Sequence, residues 1–183
     1  MSLPRHLLAA LRTLLVLTVV TGALYPLVVL GVAATMPNRA NGSLLTHDGH
    51  VVGSSLLSQK TEGPQWFHPR PSAGDHDAAN SGGSNLGQKD PGQLASIAER
   101  RRALGGGAVP GDGLTQSASG LDPHISPEYA MLQTPRVARA RKLPLKSVQD
   151  LVRQHTQHPV LGFIGTERVN VLELNLALLT LRG

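Results

Sequence analysis

Thr13-Leu14-Leu15-Val16-Leu17-Thr18-Val19-Val20-Thr21-Gly22-Ala23-Leu24-Tyr25-Pro26-Leu27-Val28-Val29-Leu30-Gly31-Val32-Ala33-Ala34-Thr35 contains no charged side chain. A helix needs roughly 20 apolar residues to cross the hydrocarbon core of a bilayer, so this run is long enough to span it with some tilt. No second run like it follows. The expected architecture is one membrane anchor carrying one polar domain. A cleaved signal peptide would carry a shorter apolar region, about 7–15 residues, ended by an A-x-A-like site. Val32-Ala33-Ala34-Thr35-Met36 is a poor site of that kind. Pro26 predicts a kink in the span, because lipid cannot satisfy the carbonyl that a proline frees. Thr18, Thr21 and Gly22 offer small side chains over which another helix can approach closely.

Arg5 and Arg12 precede the run, and Arg39 alone follows it closely. The positive-inside bias places residues 1–12 in the cytoplasm, residues 13–35 in the membrane and residues 36–183 outside it. The chain has no cysteine, which neither requires nor excludes an oxidising compartment. The sequence pI of 10.2 suggests a nucleic-acid partner at first sight. However, removing Arg5 and Arg12 from the 17 basic residues leaves 15 against 12 acidic ones. The dense basic run Arg100-Arg101-Arg102 has no interleaved aromatic residues for base stacking. It reads as the last turn of a helix, where cations suit the dipole. No nucleic-acid partner is expected.

The fold class reads as α+β, a single mixed domain after the transmembrane helix. Residues 37–50 read as a polar connector and Val51–Leu57 as a short strand. Residues 68–92 are rich in proline, glycine, serine and asparagine and read as an ordered loop, a length that usually signals function. A helix is expected from Gln93 to Leu104, stopped by Gly105-Gly106-Gly107. Another loop runs from Ala108 to Ile125. Ser126-Pro127-Glu128 opens a helix with a serine cap and a first-turn proline. Thr134-Pro135 repeats that signal, predicting a break and a second helix to Arg141. Leu145–Gln157 is amphipathic, with Val148, Leu151 and Val152 on one face. Val160–Thr166 reads as an apolar, glycine-punctuated turn. Asn170 and Glu173 have capping-box spacing, so a strand passes into a leucine-rich helix that should be buried. Few aromatic residues lie outside the span, so the core is expected to rest on leucine, valine and alanine.

Several residue groups suggest chemistry. Ser117, Ser119, Asp122 and His124 suggest a membrane-anchored serine hydrolase, but the G-x-S-x-G elbow is absent and triads normally gather from distant segments. Asp122-Pro123-His124 reads better as turn and helix-entry chemistry. Asp75-His76-Asp77 lacks further ligands at metal spacing, so no metal is expected. Ser81-Gly82-Gly83-Ser84 suits a backbone nest for an anion or phosphate, and an anchored anion-binding protein is a third reading. A P-loop is absent.

One ordered series connects these segments. It comprises Arg70-Pro71-Ser72-Ala73, Asn80-Ser81-Gly82-Gly83-Ser84-Asn85-Leu86-Gly87 and Ser119-Gly120-Leu121-Asp122-Pro123-His124-Ile125-Ser126-Pro127. It continues through Pro135-Arg136-Val137-Ala138-Arg139-Ala140-Arg141, His155-Thr156 and Arg168-Val169-Asn170-Val171-Leu172-Glu173-Leu174-Asn175-Leu176-Ala177-Leu178. With its single N-terminal span, the chain resembles the KdpC family, the C subunits of the bacterial Kdp potassium-transporting ATPases. Gln116 and Ala118 stand where that family usually has alanine and glycine, and Lys89-Asp90 replaces a usual Thr-Asn.

The resemblance implies a non-catalytic subunit in the bacterial inner membrane. Its implied partners are a potassium-conducting A subunit, a P-type ATPase B subunit and a small F subunit, besides the bilayer. It also implies a catalytic-chaperone role that raises the nucleotide affinity of the B subunit. Ser81, Gly82, Gly83, Ser84 and Asn85 would form the nucleotide or anion loop. An exported domain cannot touch cytoplasmic ATP, so the topology favours an extracytoplasmic cap on the A subunit instead. No firmly bound cofactor is expected, and ATP enters through the ATPase subunit. Gly22, Pro26, Arg70, Ser72, Asp122 and His124 are the expected subunit-interface residues, and no catalytic residue is assigned.

Overall fold

The computed structural model describes residues 3–181. Met1, Ser2, Arg182 and Gly183, which the domain bounds above include, lie outside the described residues. The chain divides into two compact units, Met1–Ser43 and Leu44–Gly183.

The first unit is a helix of 32 residues, Leu3–Ala34, long and apolar enough to cross a membrane. It begins ten residues before the uncharged run. Arg5, His6 and Arg12 thus lie on its first turns, with the long side chains able to reach toward an interface. It consists of α1 (Leu3–Val19), one π turn (Val20–Leu24) and α2 (Tyr25–Ala34), with none of its residues buried. The π turn directly precedes Tyr25-Pro26. A proline ring clashes with the carbonyl four residues back, and widening the preceding turn relieves that clash while the helix continues. A short helix, α3 (Pro37–Ala40), closes the unit.

The second unit opens with a hairpin of β1 (Leu44–His47) and β2 (His50–Ser54), which corrects the expected connector over 37–50. Asp48 and Gly49 at its tip both have positive φ, 49° and 79°. A two-residue Asp-Gly loop closed by His47 and His50, with positive φ at both positions, is a tight type I′ hairpin turn. Residues 55–90 contain no helix or strand. α4 (Pro91–Ala103) is capped by Asp90, whose carboxylate accepts from the N–H groups of Gly92 and Gln93. α5 (Gly111–Leu114) and β3 (His124–Ile125) divide the second expected loop.

α6 (Pro127–Arg141) is capped by the Ser126 hydroxyl, as expected. It does not break at Thr134-Pro135. Pro135 cannot donate to the Met131 carbonyl, and the Thr134 hydroxyl donates to that carbonyl instead, at 2.8 Å. The next elements are α7 (Leu145–Gln154), β4 (Thr156–Gln157), β5 (Arg168–Asn170) and α8 (Val171–Thr180). The Asn170 side chain caps α8 by accepting from Glu173 N–H. β5 is the central strand of a three-stranded antiparallel sheet, in the order β3-β5-β4.

The core gathers Phe67, Ile125, Tyr129, Val137, Val148, Val152, Val169, Leu174 and Leu178. Two of its members, Phe67 and Tyr129, are aromatic, so the core does not rest on aliphatic side chains alone. α8 is buried on one face only: Val171, Leu174, Asn175 and Leu178 are covered, while Leu179 is 40% exposed. The expectation of a wholly buried helix is corrected accordingly. A ten-residue helix against one layer has no second neighbour to cover its other stripe.

Candidate functional site

Arg70 lies where three of the sequence blocks meet. One guanidinium nitrogen donates to Asp122 Oδ2 at 3.1 Å and the other to the Gln116 carbonyl at 3.4 Å. Asp122 also accepts the His124 N–H through Oδ1 at 3.0 Å, which makes the turn into β3. The His124 imidazole Nδ1 lies 3.7 Å from that same oxygen. The His124 imidazole and main-chain N–H, with the Arg70 guanidinium, hold the Asp122 carboxyl below its ordinary range against the opposing effect of burial. These three side chains, with Asp112 and Arg168, line an open cleft of about 410 Å3.

The glycine-rich strings pack against each other beside it. Gly82 N–H donates to the Ser119 carbonyl at 2.8 Å, and the Ser81 hydroxyl donates to the same oxygen at 3.1 Å. A Cβ on Gly83 would lie 2.9 Å from the Ala118 carbonyl oxygen. A Cβ on Gly120 would lie 2.7 Å from the Gly82 carbonyl oxygen and 3.1 Å from Ser72 Oγ. Ser72 Oγ accepts from the N–H groups of Gly74 and His76. Thus the Gly82 N–H that a phosphate nest would use is taken by the chain itself. Ser84 and Asn85 continue the loop, Asn85 with φ 55°.

Ser119 does not meet a base. Its hydroxyl accepts from Leu121 N–H at 3.1 Å and lies 3.2 Å from the hydroxyl of the buried Ser117. His124 is engaged at Asp122 instead, so the residues suggested as a triad form turns. Asp75 pairs with Lys60 at 2.7 Å, and His76 with the Ser58 hydroxyl at 2.8 Å. Among the described residues no three His, Asp or Glu side chains are grouped to hold a metal ion.

A second constellation escaped sequence reasoning. Residues 63–68, a turn running into an irregular stretch, are held by side chains of α6 and α8. Arg136 donates to the Pro64 carbonyl at 2.8 Å, and Arg141 to the Gln65 carbonyl at 2.9 Å. The Arg141 guanidinium also lies over the Trp66 ring, 4.4 Å from its centroid. Asn175 pairs with the N–H and carbonyl of Phe67, both at 2.9 Å. Gln133 does the same for His68, at 2.8 and 3.0 Å. The signal for this was the presence of amides on otherwise apolar helix faces, where an unpaired polar group would be costly.

The family model described as K+-transporting ATPase, c chain (KdpC) matches residues 7–180. The chain belongs to the KdpC family. It is 49% identical over 177 residues to the potassium-transporting ATPase KdpC subunit of Cereibacter sphaeroides (strain KD131 / KCTC 12085), covering 94% of this chain and 96% of that one. It is 47% identical over 186 residues to the KdpC subunit of Geobacter sulfurreducens, covering 97% and 98%. It is 50% identical over 184 residues to that of Mycobacterium bovis (strain BCG / Pasteur 1173P2), covering 95% and 97%. The blocks that carried the resemblance to KdpC now have physical roles. The Arg70, Ser81 and Ser119 blocks form one loop cluster. The Arg136–Arg141 and Asn175 blocks clamp residues 63–68. Gly22 and Pro26 belong to the membrane-length helix, where a Cβ on Gly22 would meet nothing within 4 Å.

Proposed function

We propose that this chain is a non-catalytic accessory subunit of an ATP-driven potassium importer. The Leu3–Ala34 helix anchors it, with the N-terminus in the cytoplasm and the domain outside. There the domain caps the potassium-conducting A subunit and stabilises its assembly with the ATPase B subunit and the small F subunit. The observation that carries this reading is the membrane-length helix with Arg5 and Arg12 at its start and none of its residues buried. Such a helix has its whole surface available to lipid and neighbouring helices. Family membership supplies the complex in which those helices would reside. The charged loop cluster around Arg70, Ser72, Asp122 and His124 is the proposed contact with the A subunit. ATP enters this reading only through the B subunit, since an exported domain has no access to the cytoplasmic nucleotide pool.

Topology tests it directly. A C-terminal alkaline phosphatase fusion is expected to be active, and a C-terminal green fluorescent fusion sent through the same export route to be dark. The reverse pattern overturns both the orientation and the capping role. A tagged chain should also copurify with a large polytopic membrane protein in mild detergent.

A further inference from the structure

The π turn leaves one carbonyl of the membrane helix without its donor. The carbonyl of residue 21 would ordinarily accept from the N–H four or five positions on. Four positions on, Tyr25 N–H is taken by the Val20 carbonyl. Five positions on is Pro26, which has no N–H. The nearest hydroxyl does not compensate. Thr21 Oγ1 donates backwards to the Leu17 carbonyl at 2.7 Å. Thr21 lies about 12 Å of helix, at ~1.5 Å per residue, from the nearer end of the uncharged run. Hydrocarbon at that depth offers no donor, and freed carbonyls in spanning helices are satisfied by neighbouring helices or side chains.

The surroundings suit an incoming helix. Gly22 has no side chain and open space at its Cβ position. Thr18, Thr21 and Gly22 share one face by their spacing, and small residues permit close backbone approach. We propose that the Thr21 main-chain carbonyl accepts a hydrogen bond from a side-chain N–H or O–H on a transmembrane helix of a larger partner subunit. This rests on the accessory-subunit reading and specifies its membrane contact. Pro26 thereby acts as the residue that creates an acceptor, with Gly22 admitting the donor.

The test uses the full chain, carrying a carbon-13, oxygen-18 carbonyl at Thr21 alone, alone in detergent and in the complex with the larger subunits. The amide I band of that carbonyl is expected at the free position alone and at lower wavenumber in the complex. In Pro26→Ala, which restores the N–H, the band should already be bonded in the isolated chain. Retention of the larger subunits on the tagged Pro26→Ala chain should fall roughly three- to thirtyfold. A band unmoved by assembly overturns the proposal, even where copurification upholds the accessory role. A bonded band in the isolated wild-type chain also overturns it, assigning the carbonyl to water or a second copy. Failure to copurify at all overturns the accessory reading itself.

Discussion

Asn175 occupies the position of a neighbouring β-strand for Phe67: its Nδ2 donates to the Phe67 carbonyl and its Oδ1 accepts the Phe67 N–H, both at 2.9 Å. Phe67 is fully buried and Asn175 7% exposed, so neither main-chain group has water as an alternative. A buried polar group left unpaired costs about 1–3 kcal/mol. Asn175→Ala strands two such groups and should lower stability by about 2–5 kcal/mol. Urea unfolding of the full chain in detergent, followed through Trp66 next to the clamp, measures this. An unchanged midpoint would remove the clamp from the account.

Thr134 and Pro135 form a compensating pair. Thr134→Val leaves the Met131 carbonyl without its donor from the fully buried Thr134, at a cost of about 1–3 kcal/mol. Adding Pro135→Ala supplies an N–H to the same carbonyl and should recover most of the loss. The double-mutant cycle by urea unfolding should therefore be strongly non-additive.

The glycines distinguish packing from nucleotide binding. Gly82→Ala should be nearly silent, because a Cβ there meets nothing within 4 Å. Gly83→Ala pushes a Cβ onto a main-chain oxygen and should cost about 1–3 kcal/mol. Gly120→Ala combines such a contact with φ 69° and should cost more. A phosphate cradle would instead make Gly82 sensitive. Thermal melting of the three full-length variants, with and without nucleotide, decides between them.

The pH dependence has two stages. Burial above all lowers the pKa of His68 and of His76 from an ordinary 6.5. A histidine held neutral in the folded state binds fewer protons than in the unfolded chain. Stability is then full above that ordinary value and falls as pH drops below it. Asp122 is lowered from 3.8, so its contribution is full above that value and is lost as pH falls through its lower folded pKa. Urea midpoints should decline first below about pH 6.5 and again in stronger acid. His68→Gln combined with His76→Gln should flatten the first decline relative to wild type, and Asp122→Asn the second.

Features set by neighbouring residues were legible in the sequence: the uncharged span, the Ser126 cap, the Asn170 cap and the arginine-rich end of α4. Those decided by compensation at a distance were not. Thr134-Pro135 has the spelling of a helix start, but a hydroxyl aimed inward turns it into a helix interior. The Asp48-Gly49 hairpin was legible by its turn residues and was lost to the polar composition around it. Gln133 and Asn175 stand on apolar helix faces, but no local pattern shows which segment, 65 and 108 residues away, they pair with. At the loop cluster the glycines were visible, but which backbone they approach depends on chain reversal that no local pattern encodes.

β5, the centre of its sheet, and Asn175 both come from the last sixteen residues of the chain. The Phe67–Asn175 pair therefore closes across 108 residues, farther than the 65 to 76 residues between His68, Pro64 and Gln65 and their partners on α6. Contacts so far apart in sequence close slowly, after the loop entropy between them is overcome. A domain wired in this order docks residues 63–68 on α6 first and closes the Phe67–Asn175 pair last.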